Sequence, residues 1–252
     1  MYAAVVAGVF GLIIGSFLNV VIYRVPLGES IAFPGSHCPQ CGHVLRAWEL
    51  VPVISFLLLR GRCRVCKVKI SWRYPLVELL TGALFFYRIY LEQGFSARLL
   101  FDLIFVSFLI ALAFIDLDHL RLPDVLVYPL LLLGVTRVIF MPGEIQWLQS
   151  LSGALLAGVG FGLIAKFYPQ GLGFGDVKLV AALGVYLGFP GILAVIFLAS
   201  LLGTLVGGLG LLLKGRGLRQ AIPFGPFLAA GALIMLYWGE YLIQAYLRWS
   251  GV

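Results

Sequence analysis

Apolar runs close to the thickness of a bilayer recur along this chain, and they constrain its fold more than any other feature. A helix needs roughly 20 apolar residues to cross the hydrocarbon core. Runs near that length lie at 1–22, 74–90, 99–115, 125–140, 147–167, 191–213 and 223–247, with a shorter one at 177–187. Hydrophobic residues make up 62% of the chain and charged residues 12%, which leaves too little charge to cover a soluble fold of 252 residues. The reading is an all-α polytopic membrane protein with about eight transmembrane helices. The runs 177–187 and 191–213 adjoin through Gly188-Phe189-Pro190-Gly191, so a merged helix and a count of seven is the other possibility. The first run lacks a basic leading region and a small-residue cleavage site, and Arg24 follows it directly. It reads as a retained helix rather than a signal peptide.

Basic residues concentrate in cytoplasmic loops of membrane proteins. Residues 23–73 hold Arg24, Arg46, Arg60, Arg62, Arg64, Lys67, Lys69 and Arg73; alternating loops add Arg121, Lys166, Lys178, Lys214, Arg216 and Arg219. The opposite set is Arg88, Arg98, Arg137 and Arg248, so 14 of the 18 basic residues fall on one side. The expected organisation is a first helix at 1–22, a cytoplasmic loop domain at 23–73 and a membrane domain at 74–252, with both termini outside. This asymmetry accounts for the net charge of +7 and leaves no reason to invoke nucleic acid.

All four cysteines sit in that loop, as Cys38-Pro-Gln-Cys41 and Cys63-Arg-Val-Cys66. Two CxxC pairs at this spacing match a tetrahedral four-thiolate zinc site and a small zinc-ribbon-like fold. Disulfides are the competing reading, disfavoured in a reducing compartment. Four thiolates leave no open position, so the role is structural, and a short loop with little core gains stability from a metal. Gly42 and Gly61 stand where tight knuckle turns need them, and His37 and His43 read as knuckle surface. A nucleic-acid-binding ribbon is the functional rival, but the loop's basic residues are already required by topology.

Carboxylates at the ends of apolar runs carry the chemistry. Asp116 ends one run and Asp118 and Asp124 follow it; Asp176 stands in Gly173-Phe-Gly-Asp176, directly before another. Ionisable groups at such places are costly and usually functional. Each also has a plain structural reading: Asp176 as a helix cap, Asp124 as a complement to a helix N-terminus, Asp118 as a solvated residue on another helix face. Two aspartates close together share a proton, the ionised one activating water and the protonated one polarising a carbonyl. No Ser-His-Asp set competes, since His119 is the one histidine outside the cysteine loop. Gly171, Gly173 and Gly175 give the flexibility for an extended peptide to approach Asp176.

Taken together these segments resemble the bacterial type IV prepilin peptidases, a family of GxGD membrane aspartyl proteases. The resemblance is carried by Gly15-Ser-Phe-Leu-Asn-Val-Val-Ile-Tyr-Arg24, the paired CxxC loop and Tyr74-Pro-Leu-Val-Glu-Leu79. It continues through the Asp116 to Asp124 segment, Gly173-Phe-Gly-Asp-Val-Lys178 and Pro223-Phe-Gly-Pro-Phe-Leu228. It implies that Asp116 and Asp176 form a catalytic dyad cutting the basic leader of prepilins and pseudopilins after glycine, at the cytoplasmic boundary of the bacterial inner membrane. It also implies methylation of the new N-terminus with S-adenosylmethionine, associated with the N-terminal part. No glycine-rich Rossmann-type donor site is present, and Glu49, Glu78 and Asn19 are the candidates for holding the methyl donor. Glu78 serves equally as a partner for Arg73 or another loop cation. The rivals from other classes are an ion-coupled transporter, which places acids at the midplane between inverted repeats, and a non-catalytic scaffold with a zinc docking module.

Overall fold

A computed structural model describes residues 1–92, 96–143, 145–168, 171–208 and 222–250. Lys214, Arg216, Arg219 and the end of the 191–213 run lie outside the described residues. The helices are α1 (Tyr2–Arg24), α2 (Ile54–Leu58), α3 (Arg73–Glu92), α4 (Ala97–His119), α5 (Asp124–Phe140), α6 (Trp147–Phe167), α7 (Phe174–Leu202) and α8 (Gly225–Ser250). Among the described residues, α1, α4, α6, α7 and α8 lie in the five spans long and apolar enough to cross a membrane. The expected count of about eight differs for two reasons. The runs at 177–187 and 191–213 share one helix, and of the remaining two, α3 carries Arg73, Glu78, Arg88 and Glu92 while α5 has 17 residues.

The chain divides into two compact units, Met1–Ala111 and Leu112–Val252. In the first, α3 returns antiparallel along α1. Gly8 faces Phe86, Gly11 faces Gly82, Gly15 faces Glu78, and Asn19 Nδ2 donates to the Tyr74 carbonyl at 3.1 Å. A side chain cannot be fitted at this seam: a Cβ on Gly11 would lie 2.8 Å from the Gly82 Cα, and one on Gly15 2.7 Å from the Glu78 Cα. Lipid tails are as apolar as leucine, so close packing of small residues, rather than hydrophobicity, brings such helices together. Further along α3, Arg88 donates to the fully buried Asp102 of α4 at 2.6 and 2.9 Å. A charge buried in an apolar surrounding persists when it is paired in this way.

In the second unit α7 is central, packing on α5, α6 and α8. Glycines again set the contacts. A Cβ on Gly153 of α6 would stand 2.8 Å from the Gly184 carbonyl, and one on Gly231 of α8 2.9 Å from the Val195 carbonyl. α7 is broken at Gly188, whose φ of 74° lies in the left-handed region. Two residues on, Pro190 has no amide to offer the carbonyl of Tyr186. Arg137 of α5 supplies the missing donor at 2.9 Å, its guanidinium also lying 4.5 Å from the Tyr186 ring centre. Ser150 of α6 donates to the neighbouring Val185 carbonyl at 2.7 Å. The break is therefore satisfied from both flanking helices, as hydrocarbon surroundings demand.

The seam in the first unit can be tested directly. Gly11→Val forces overpacking against backbone, worth about 1–3 kcal/mol, and is expected to lower the thermal midpoint of the detergent-solubilised protein. Gly160→Val, where nothing lies within 4 Å, is expected to leave it unchanged.

Candidate active site and metal centre

Asp116 is the last buried residue of α4, only 5% exposed, in a chain with 11 carboxylates. Its Oδ2 accepts the Gly225 amide at 2.9 Å, so the start of α8 is fastened to the end of α4. Gly225 is required by space: a Cβ there would lie 2.8 Å from the same oxygen. Asp176 stands in the first turn of α7, half-buried, and its Oδ2 accepts the Gly173 amide at 3.3 Å. The capping role that the sequence allows for Asp176 is present, exerted from the third helical position rather than the cap itself. Asp116 is close enough that its charge is felt at Asp176. Each carboxylate is thus held through one oxygen by a glycine amide, a preorganised pair of acids at adjoining helix ends.

The neighbouring acids are placed differently. Asp118 is exposed, on a different face of α4 from Asp116. Asp124 opens α5 and receives Lys178 of α7 at 2.7 and 2.8 Å, with the ammonium 5.4 Å from the Tyr128 ring centre. This ion pair ties the two segments that carry Asp116 and Asp176. The glycines before Asp176 serve packing more than flexibility. Gly173 is the cap of α7 with φ of −77°, and a Cβ on Gly175 would come 3.0 Å from the Leu122 side chain. Gly225 was visible in sequence only as part of a Pro-Phe-Gly-Pro motif; its amide contact with Asp116 is 109 residues distant in the chain.

The four cysteine sulfurs lie within 4.8 Å of one another, and no disulfide joins them. Cys38 and Cys66 sulfurs are 3.7 Å apart, and Cys41 and Cys63 sulfurs 3.9 Å. A tetrahedron with metal–sulfur bonds of about 2.3 Å has edges of about 3.8 Å, so the donor set fits zinc. The two halves repeat one turn. The Cys38 amide donates to the His43 carbonyl and the Cys63 amide to the Val68 carbonyl, with bridges His37↔Val44 and Arg62↔Lys69. Gly42 takes the left-handed position of the first turn at φ 69°, whereas Lys67, not Gly61, takes it in the second at φ 58°. Gly61 lies before that turn, against the Phe56 ring. Among the described residues each turn is closed by one isolated bridge, with no strand extending either. The Cys66 and Val65 amides pull the Cys63 thiol down to about 6. Cys66 goes the other way: over the opposing pull of the Val68 amide, burial and the neighbouring thiols push it up to about 11. Four sulfurs this close ionise together only around a cation.

The three candidates for a methyl-donor site fall in two places. Asn19 and Glu78 belong to the facing helices α1 and α3 and are both buried. The Asn19 Oδ1 has no hydrogen-bond partner among the described residues. Glu78 accepts the Val53 amide at 2.7 Å, fastening the loop before α2 to α3. Glu49 is held inside the loop by the Arg46 amide at 2.9 Å and by His43 at 3.2 Å. The Arg46 amide, with His43 beside it, holds its carboxyl below the usual carboxylate range against the effect of burial.

The metal centre generates a direct expectation. Native mass spectrometry of the purified protein should find one zinc ion per chain, and Cys38→Ser or Cys63→Ser should lose it. Chelation should expose residues 36–70 to limited proteolysis, because so short a loop has little other core.

The family model described as Bacterial Peptidase A24 N-terminal domain matches residues 9–91, and that of the Type IV leader peptidase family matches residues 103–208. A Legionella pneumophila protein named prepilin leader peptidase/N-methyltransferase is 37% identical, over 96% of this chain and 93% of its own length. A Neisseria gonorrhoeae protein of the same name is 39% identical, over 93% of this chain and 90% of its own. One from Myxococcus xanthus is 47% identical, over 84% of this chain but 64% of its own length. No solved structure matches. The chain belongs to the type IV leader peptidase family.

Proposed function

We propose that this protein is a prepilin leader peptidase that also N-methylates the residue its cut exposes. The observation that carries the protease reading is the pair formed by Asp116 and Asp176, each oriented by a glycine amide, with the charge of Asp116 felt at Asp176. Two such acids hold one proton between them. The ionised member takes a proton from water as the oxygen attacks the scissile carbonyl carbon, and the protonated member donates a hydrogen bond to the carbonyl oxygen. Collapse of the tetrahedral intermediate breaks the carbon–nitrogen bond, and the proton passes to the leaving amine. Gly225 and Gly173 do not take part in proton transfer; they fix one oxygen of each acid so that the other faces substrate.

The dyad lies where α4 ends and α7 begins, and the positive-inside asymmetry of the sequence supports the cytoplasmic face of the bacterial inner membrane as that level. A prepilin presents a basic leader to water and an apolar helix to lipid, so its cut site falls at the same level. The paired CxxC loop holds zinc as a structural ion and does not enter the chemistry. For methylation, Asn19 and Glu78 are the groups on α1 and α3 that would hold S-adenosylmethionine. An unpartnered buried carbonyl oxygen and a carboxylate suit a ligand bearing an ammonium and a sulfonium. Bound there, it would supply the methyl group. Glu49 contributes by shaping the loop through Arg46 and His43.

Cleavage of a prepilin in proteoliposomes, with product mass read in the same samples, tests both halves. Asp116→Asn and Asp176→Asn should each lose cleavage by at least about a hundredfold while staying inserted. Gly225→Ala, which pushes a methyl against the Asp116 carboxylate, should lose much of it. Normal cutting by either asparagine variant overturns the dyad. Asn19→Ala and Glu78→Gln should cut normally and leave the product one methyl lighter.

A further inference from the structure

Residues 50–77 contain Arg60, Arg62, Arg64, Lys67, Lys69 and Arg73 and no carboxylate. Topology explains positive charge on this loop, but not how these side chains are arranged. Arg60, Arg62 and Lys69 line one groove of about 400 Å³, whose remaining walls include Phe56, Leu57 and Trp72. The Phe56 and Trp72 rings meet edge to face at 4.9 Å within its lining. Arg62 and Lys69 stand opposite each other across an isolated bridge, and like charges so placed repel. None of the three cations pairs with a carboxylate among the described residues. Arg64 is turned instead onto Trp48, 5.3 Å from the ring centre. Arg60 takes a left-handed backbone at φ 53°, unusual for a residue with a side chain. The groove is a concentration of unneutralised charge that the chain does nothing to relieve.

Its position says what relieves it. Trp72 directly precedes α3, and the antiparallel seam with Asn19 opposite Tyr74 puts Trp72 level with the end of the apolar part of α1. Tryptophan favours this interfacial level. The flank of the groove is apolar and open: Ile54, Leu57, Leu58 and Trp72 are 56%, 61%, 70% and 74% exposed. A soluble anion would need the cations but not this apolar flank. A lipid uses both, with phosphate between the cations and glycerol and upper chains against the leucines and tryptophan. We propose that this groove, formed by α2 and the second CxxC turn, binds the headgroup of an anionic phospholipid. Clusters of lysine and arginine beside a membrane helix attract such lipids. The site lies in a unit separate from the aspartates and does not depend on the proposed protease activity.

The test uses the full chain in nanodiscs of phosphatidylcholine carrying a small fraction of brominated phosphatidylglycerol or, in parallel, brominated phosphatidylcholine. The Trp72 signal is the difference between wild type and Trp72→Phe. Phosphatidylglycerol should quench it at least about threefold more than phosphatidylcholine at equal mole fraction, given the attraction of several nearby cations. The preference should vanish in Arg60→Gln/Arg62→Gln/Lys69→Gln and persist in Arg60→Lys/Arg62→Lys. Equal quenching in the wild type overturns the proposal without recourse to any charge variant. So does a preference that survives the glutamine substitutions. Loss of the preference on adding millimolar glycerophosphate also overturns it, by showing a site for soluble phosphate instead of lipid.

Discussion

A carbonyl buried in hydrocarbon has no water to turn to, and the second unit is organised around meeting that demand. Pro190 removes one donor from the ladder of α7 and Gly188 turns the backbone away from another. Arg137 and Ser150 restore them from α5 and α6. The first half of α7 is thereby a short helix capped at its far end and fixed to its neighbours, with Asp176 at its near end. The Asp176 carboxylate is thereby carried on a rigid segment. The same logic makes Arg137, a buried cation in an apolar chain, a structural donor.

Glycine does the complementary work. Where helices meet in lipid, contact energy grows as backbones approach, and only residues without side chains allow it. Gly11, Gly15 and Gly82 bring α1 to α3, and Gly153 and Gly184 bring α6 to α7. Gly225 applies the same rule to chemistry: its missing side chain is the space into which the Asp116 carboxylate fits, and its amide is what the carboxylate binds. Packing and site geometry rest on one property of one residue type.

The cysteine loop solves a different problem. Its sulfur contacts of 3.7 and 3.9 Å describe a donor set of the size that fits a metal ion. Glu78 then fastens this loop to α3 through the Val53 amide, so the cysteine loop is joined to the α1–α3 seam. The side chain that sequence offered as an expensive lone acid is in use as an anchor for backbone.

By itself the sequence determined the class, the helix-forming runs, the four thiols and the acids worth attention, because each is local: run length, residue spacing, or a charge where lipid penalises one. The Asp118 reading as a solvated neighbour was also legible, from helical angle alone. Sequence left open whether 177–187 and 191–213 are one broken helix, since that depends on Arg137 and Ser150 lying across from it. It did not show that Lys67 rather than Gly61 takes the second left-handed turn, that Asp124 holds Lys178, or that Gly225 holds Asp116. The last two are contacts between residues far apart in the chain, 54 positions for Lys178 and 109 for Gly225. Composition and periodicity carry no record of which distant groups meet; only the packed helices decide it.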